Sequence, residues 1–217
     1  MRTLLFSNRA EAGLRLAGAL EKFRGTDSVI LAIPRGGVEV AKVVAETLSL
    51  PLDIALSKKI GHPANSEYAI GSVSPDTVVL DEHADVSQEY ILRETKKIRE
   101  LLQKRYDLYM GARKPVALKG RTAIVVDDGI ATGNTLLATI RTLRKKEPRS
   151  IVVAVPVAPS RGTERIKTEA DEFICLYTPA DFPGVSAFYA DFAQVSDEEV
   201  VQLLSENAPH GSEKEIT

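Results

Sequence analysis

The stretch Ile124-Val125-Val126-Asp127-Asp128-Gly129-Ile130-Ala131-Thr132-Gly133-Asn134-Thr135 decides how the rest of this 217-residue chain is read. Its three β-branched residues form a strand of the kind buried on both faces of a parallel sheet, and the run stops at two adjacent carboxylates. A short loop with two glycines and two threonines follows. Beyond it Leu136, Leu137, Ile140 and Leu143 recur at helical spacing, so the whole reads as strand, anion-cradling loop, helix. Such a loop points backbone N–H groups and the positive end of a helix at one spot, where a phosphate fits.

The carboxylates narrow the reading, because a bare phosphate site gains nothing from two negative charges at its rim. A phosphorylated sugar does gain, since its hydroxyls donate to Asp127 and Asp128 while its phosphate sits in the loop. Two other phosphate motifs fail. A Walker-type loop ends in Gly-Lys-Ser/Thr, whereas Gly133 is followed by Asn134; a dinucleotide fingerprint needs three spaced glycines and only two are present. A strand-to-helix turn that merely carries acids would explain the same residues, but two adjacent acids closing a buried strand are costly without a use.

On these residues the stretch resembles the phosphoribosyl pyrophosphate (PRPP) motif of the type I phosphoribosyltransferases. The resemblance implies that Asp127 and Asp128 hold the ribose hydroxyls, and that the loop Gly129, Ile130, Ala131, Thr132, Gly133, Asn134, Thr135 binds the 5-phosphate. It also implies Mg²⁺ as cofactor, near Asp127 and Asp128. The chain departs from the family pattern at Gly129, where an apolar side chain is usual, and at Ala131, where Thr or Ser is usual.

Outward from this centre the same grammar repeats. Val29-Ile30-Leu31-Ala32-Ile33 is a second buried strand; it stops at Pro34-Arg35-Gly36-Gly37 and continues as a helix through Val38, Ala41, Val44, Ala45 and Leu48, with Glu39, Lys42 and Glu46 on its wet face. Parallel strands in one sheet bring this turn to the same edge as Asp127 and Asp128. In the resembling family this turn binds pyrophosphate, so Gly36 and Gly37 become substrate-binding candidates and Arg35 a clamp on the leaving group. A tight turn with a solvated arginine uses the same four residues. Pro51 to Leu56 is a further strand ending in Ser57-Lys58-Lys59, and either lysine matches the basic residue that meets pyrophosphate in the family. Residues 61–67 read as loop, in the region where the family carries a mobile loop, and 68–80 as a hairpin around Ser74-Pro75-Asp76. His62 is a loop histidine without a partner in sequence, and His83 and His210 read as surface residues.

Before the first strand, residues 7–23 form a packing helix capped by Ser7 or Asn8, with Ala10, Leu14, Leu16, Ala17, Leu20 and Phe23 as its apolar stripe. From Val86 to Met110 a long helix places Ile91, Ile98, Leu102, Tyr106 and Tyr109 on one face, which packs on the domain or on a second copy, so a homodimer is an option. Its basic residues are offset by Glu94, Glu100 and Asp107, and with a net charge of −2 the chain carries no nucleic-acid patch. Ile151 to Val157 and Phe173 to Leu176 supply two more strands around a short helix. Cys175, the single cysteine, reads as core filler.

The fold class is therefore α/β: a mostly parallel central sheet with helices on both faces, in one domain over residues 1–206. Residues 178–196 form a small C-terminal hood segment whose Phe188, Tyr189 and Asp191 could stack on and bond a base, or simply close the core. Residues 207–217 read as a disordered tail. No secretory or membrane-spanning segment is visible, so a cytoplasmic protein is expected. The expected activity is transfer of a 5-phosphoribosyl group from PRPP to a nitrogen nucleophile, with a nucleobase as the expected acceptor and pyrophosphate released, and with Asp127, Asp128, Arg35 and Lys59 or Lys58 as its chemistry. A PRPP sensor without turnover, or a sugar-phosphate hydrolase, would use the same residues.

Overall fold

The computed structural model describes residues 4–81 and 86–206. The expectations for His83, His210 and the tail at 207–217 lie outside these residues. In chain order the elements are α1 (Arg9–Ala19), β1 (Ser28–Ala32), α2 (Gly36–Leu48), β2 (Leu52–Ile54), β3 (Lys58–His62), β4 (Asn65–Val73) and β5 (Val78–Leu80). Then follow α3 (Gln88–Met110), β6 (Thr122–Val126), α4 (Asn134–Arg144), β7 (Ser150–Val157), α5 (Glu164–Glu169), β8 (Glu172–Tyr177) and α6 (Asp197–Glu206).

Five strands pair in the order β2-β1-β6-β7-β8, all parallel, and β3-β4-β5 form a separate antiparallel sheet. Alternation along the parallel strands divides the core. Ile30, Ala32, Ile124, Val126, Val152 and Ala154 face α1, α2 and α6, while Val29, Leu31, Ala123, Val125, Ile151 and Val153 face α4 and α5. Burial on both faces explains the unbroken apolar runs. The sequence of crossovers reverses between β1 and β6, whose registers end together at Ala32 and Val126. The crevice beyond those two strand ends is where doubly wound sheets bind ligands.

Several expectations need correction. Residues 61–67 are not an open loop: Gly61 and His62 end β3, Asn65 begins β4, and His62 pairs with Asn65 across a tight turn. His62 Nδ1 accepts the Ala64 N–H. Lys58 and Lys59 open β3 of the small sheet instead of closing the β2 strand, because the chain leaves the parallel sheet at Ala55. In α1, Ala10 and Leu14 face solvent, and the buried stripe is Arg9, Ala12, Gly13, Leu16 and Ala17. Glu39 is half-buried, not on a wet face, because it turns toward Arg9. Cys175, expected as filler, is half-buried and packs against the core on the α4 side of the sheet.

Candidate active site

Two strand-to-helix junctions meet at the crevice. Ile33 N–H donates to the Val126 carbonyl at 2.9 Å, which carries the pairing of β1 and β6 one residue past the sheet. The Pro34–Arg35 peptide is cis, and α2 begins at Gly36. Gly36 and Gly37 then pass against the acid pair so closely that side chains are excluded. A Cβ on Gly36 would stand 2.0 Å from Asp128 Oδ2, and one on Gly37 3.0 Å from the Asp127 Cα. The double glycine is thus a condition of closing one turn over the other.

Asp127 and Asp128 sit half-buried where β6 ends. Asp127 Oδ1 accepts the Asp128 N–H at 2.9 Å, Asp128 Oδ2 accepts Arg9 Nε at 2.8 Å, and the Asp128 carbonyl accepts the Tyr189 hydroxyl at 2.6 Å. Burial raises the Asp127 carboxyl well above its ordinary value, and the charge of Asp128 adds to that; burial also raises Asp128, against the pull of Arg9. Glu39, which Arg9 reaches at 3.4 Å, is raised by the same desolvation. Three carboxylates therefore share one desolvated guanidinium, and the cluster favours an incoming positive charge.

Among the described residues no protein group occupies Asp127 Oδ2 or Asp128 Oδ1, and no third His, Cys, Asp or Glu completes a metal site. That donor set fits Mg²⁺, which takes one or two carboxylates and fills its shell with substrate oxygens and water.

Opposite the acids, the loop from Gly129 to Gly133 leads into α4. Ile130 is buried and its N–H donates to the Val157 carbonyl, which pins the loop to β7. Gly133 takes φ +74° at the N-cap position, and no side chain caps the helix. Ala131, Thr132, Asn134 and Thr135 are exposed around that end. Their unclaimed amides and the helix dipole form an anion seat. Gly129, the departure from the family pattern, has a steric cause: a Cβ there would stand 2.6 Å from Val185 Cγ1. The segment after β8 thus packs directly against the loop at this position.

The remaining candidates are dispersed. Arg35 is half-exposed, with Nη1 3.6 Å from Asp197 Oδ1 at the start of α6. Lys58 is exposed, whereas Lys59 lines a crevice with Asn134, Leu137 and Arg141 beside the N-terminus of α4. Phe188 and Tyr189 are 7% and 4% exposed, packed with Phe6, Ala12 and Val157, so neither ring presents a face to a base. Asp191 is exposed and accepts the Ala193 N–H.

Sequence reading passed over Arg9. It is 6% exposed at the first turn of α1. The available signal was its place in the series Arg9, Ala12, Gly13, Leu16, Leu20, where a charged residue occupies the buried stripe of an amphipathic helix.

Comparison with known proteins bears on the family of the chain. A family model described as the phosphoribosyl transferase domain matches residues 11–187. A Thermus thermophilus protein of known crystal structure is 41% identical with a TM-score of 0.89, over 94% of this chain and 100% of that one. A Mycobacterium tuberculosis H37Rv protein, named provisionally as a phosphoribosyl transferase, is 40% identical over 207 residues, 92% of this chain and 46% of the relative. Its counterpart in strain CDC 1551 matches to the same extent. The chain thus spans about half the length of those two relatives. With the family model covering most of the chain and relatives at this identity along nearly all of it, the chain belongs to the phosphoribosyl transferase domain family.

Proposed function

We propose that this protein transfers the 5-phosphoribosyl group of PRPP to a nitrogen nucleophile with release of pyrophosphate. One observation carries the reading: the Gly36-Gly37 turn and the Asp127-Asp128 pair abut at the reversal point of the sheet, with the uncapped start of α4 beside them. A pentose with a phosphate at one end and a diphosphate at the other needs these three features together.

The amides of 131–135 hold the 5-phosphate, with Thr132 and Thr135 hydroxyls in reach of its oxygens. Asp127 and Asp128 accept from the ribose hydroxyls. The backbone of Gly36 and Gly37 lies along the diphosphate, and Arg35 swings from Asp197 to clamp it; an exposed pair at 3.6 Å is a weak restraint on that movement. Lys59, on the α4 side of β3, is better placed than Lys58 for the same anion. Mg²⁺, when bound near the acid pair, neutralises charge on the diphosphate. The C1–O bond breaks with its electron pair leaving on pyrophosphate, the acceptor nitrogen forms the new bond to C1, and the acceptor's surplus proton passes to solvent. Positive charge that builds on the ribose meets the carboxylate-rich floor, so catalysis is positioning plus electrostatics.

The test is pyrophosphate release on incubation with PRPP, Mg²⁺ and a panel of nitrogenous acceptors. Release with one acceptor supports the transferase. Release without any acceptor supports a hydrolase, and PRPP-dependent thermal stabilisation without turnover supports a sensor. No heat on titration with PRPP and Mg²⁺ overturns all three.

A further inference from the structure

Arg9 belongs to no motif, yet its guanidinium is in direct contact with the acid pair. Its guanidinium makes contacts to three other parts of the chain. Nε donates to Asp128 Oδ2 at 2.8 Å, Nη1 donates to the Ala193 carbonyl at 2.8 Å and approaches Glu39 Oε2 at 3.4 Å, and Cζ lies 3.8 Å from the Phe192 ring centre. The family match over 11–187 stops short of Arg9, Phe192 and Ala193. Burying an arginine for stability alone gains little, because its desolvation offsets the attraction. A planar fork, however, fixes direction as well as distance.

That direction bears on Asp128 alone. Its carbonyl is held by Tyr189 and its amide by Asp127, so the backbone is fixed and the side-chain torsion is the remaining freedom. Arg9 removes it by engaging Oδ2, which leaves Oδ1 for a ligand. Gly36 completes the enclosure: a Cβ there would stand 2.0 Å from Asp128 Oδ2 and 2.9 Å from Arg9 Nε. The other end of the fork rests on Phe192 and Ala193, in the segment that runs from the hood to α6. We infer that Arg9 is a positioning residue that sets the Asp128 carboxylate for the sugar hydroxyls and ties that setting to the segment Phe192–Ala193.

The inference rests on the proposed reading of the site as a pentose phosphate receptacle, and the experiment separates the two. Calorimetry is run on the full chain with ribose 5-phosphate, 2-deoxyribose 5-phosphate and inorganic phosphate, for wild type, Arg9→Lys, Arg9→Met and Phe192→Leu. Wild type should prefer ribose to deoxyribose by about tenfold, the worth of one hydrogen bond to a carboxylate. Both Arg9 variants should lose most of that preference and keep their affinity for inorganic phosphate, and Phe192→Leu should fall between. A merely structural arginine would weaken all three ligands alike or none, so either pattern, or a wild-type preference retained in Arg9→Lys, overturns the inference. Should Arg9→Met fail to fold, Arg9→Lys keeps the charge and lacks the fork, and decides alone. A Phe192→Leu variant identical to wild type overturns the tie to the C-terminal segment. A wild type without preference overturns the reading of the site itself.

Discussion

Replacing Asp127 by Asn should make the protein more stable and a poorer binder of PRPP. Asp127 is held in a desolvated place beside a second carboxylate, and the Arg9 guanidinium that offsets its charge is already engaged by Asp128, Glu39 and Ala193. Asparagine keeps the size of the side chain and the oxygen that accepts the Asp128 N–H at 2.9 Å. What it removes is the like-charge conflict, and relieving such a conflict at a functional site contributes about 1 kcal/mol. For a chain of this length that is roughly 2–4 °C in Tm. Binding moves the other way. Losing a charged acceptor for a ribose hydroxyl costs about 1.5–3 kcal/mol, or about 10- to 150-fold in affinity. The measurements are thermal unfolding of the protein in chelator, and titration calorimetry with PRPP and Mg²⁺. Opposite signs are required. A Tm that falls would make Asp127 a structural acid, and a higher Tm with unchanged affinity would remove it from the substrate site.

Three further outcomes follow from the packing and the charges. Gly129→Ala should destabilise by about 1–3 kcal/mol in urea unfolding, because its Cβ would stand 2.6 Å from Val185 Cγ1, and Val185→Ala in the same chain should recover most of the loss; no recovery would mean the backbone of Gly129 matters instead. Burial raises the Asp53 carboxyl, although the amides of Ile54 and Val116, and more distantly Lys146 and Arg113, favour its ionised form. Its folded pKa therefore lies above the unfolded one, and its contribution to stability is full below the unfolded value and lost as pH rises through the folded value. The unfolding free energy of wild type minus that of Asp53→Asn should accordingly fall as pH rises above the ordinary aspartate value of about 4, and a constant difference would refute it. Arg35→Ala should weaken pyrophosphate binding about tenfold with little change in Tm, since an exposed pair at 3.6 Å contributes under about 1 kcal/mol; a lower Tm with intact pyrophosphate binding would assign Arg35 to docking α6.

What the sequence made legible was whatever period and termination encode. The apolar runs at Val29 and Ile124 each end in a turn rich in glycine or acid, and parallel pairing of β1 with β6 puts the two turns side by side. The small sheet was half visible. Asn65 to Tyr68 has no apolar alternation, so its pairing with β3 depends on the turn at Pro63-Ala64 and on packing of Ile60 and Ile70 against Ile98 and Leu102 of α3. Arg9 was hidden because its partners are 119 and 184 residues away. Gly129 looked like a defect in the motif for the same reason: the residue that requires it, Val185, arrives from another part of the chain.

The aromatic segment bears on the choice of acceptor. A run of Phe182, Phe188, Tyr189 and Phe192 at the sheet end invites a stacking platform, but each inner ring is already used. Tyr189 lies between Phe6 at 5.2 Å and Phe192 at 4.9 Å, Phe188 stacks with Phe182 at 5.4 Å, and Phe192 supports Arg9. Exposing Phe188 or Tyr189 to a base would open the cluster that holds Phe6 and the Asp128 carbonyl, so a base would have to disturb the acid pair in order to stack. Beside Arg9 the chemistry is instead polar, with exposed Asn8, Asp191, Gln194 and Glu199 and half-buried Glu39 around one crevice. Such a rim favours an acceptor recognised through N–H donors over one recognised through its ring face. The acceptor panel should therefore contain aliphatic amines beside the purines and pyrimidines, and turnover is expected to be higher with an amine. Higher turnover with a purine, reduced by Tyr189→Leu for the purine alone, would refute this and show that the segment opens on binding.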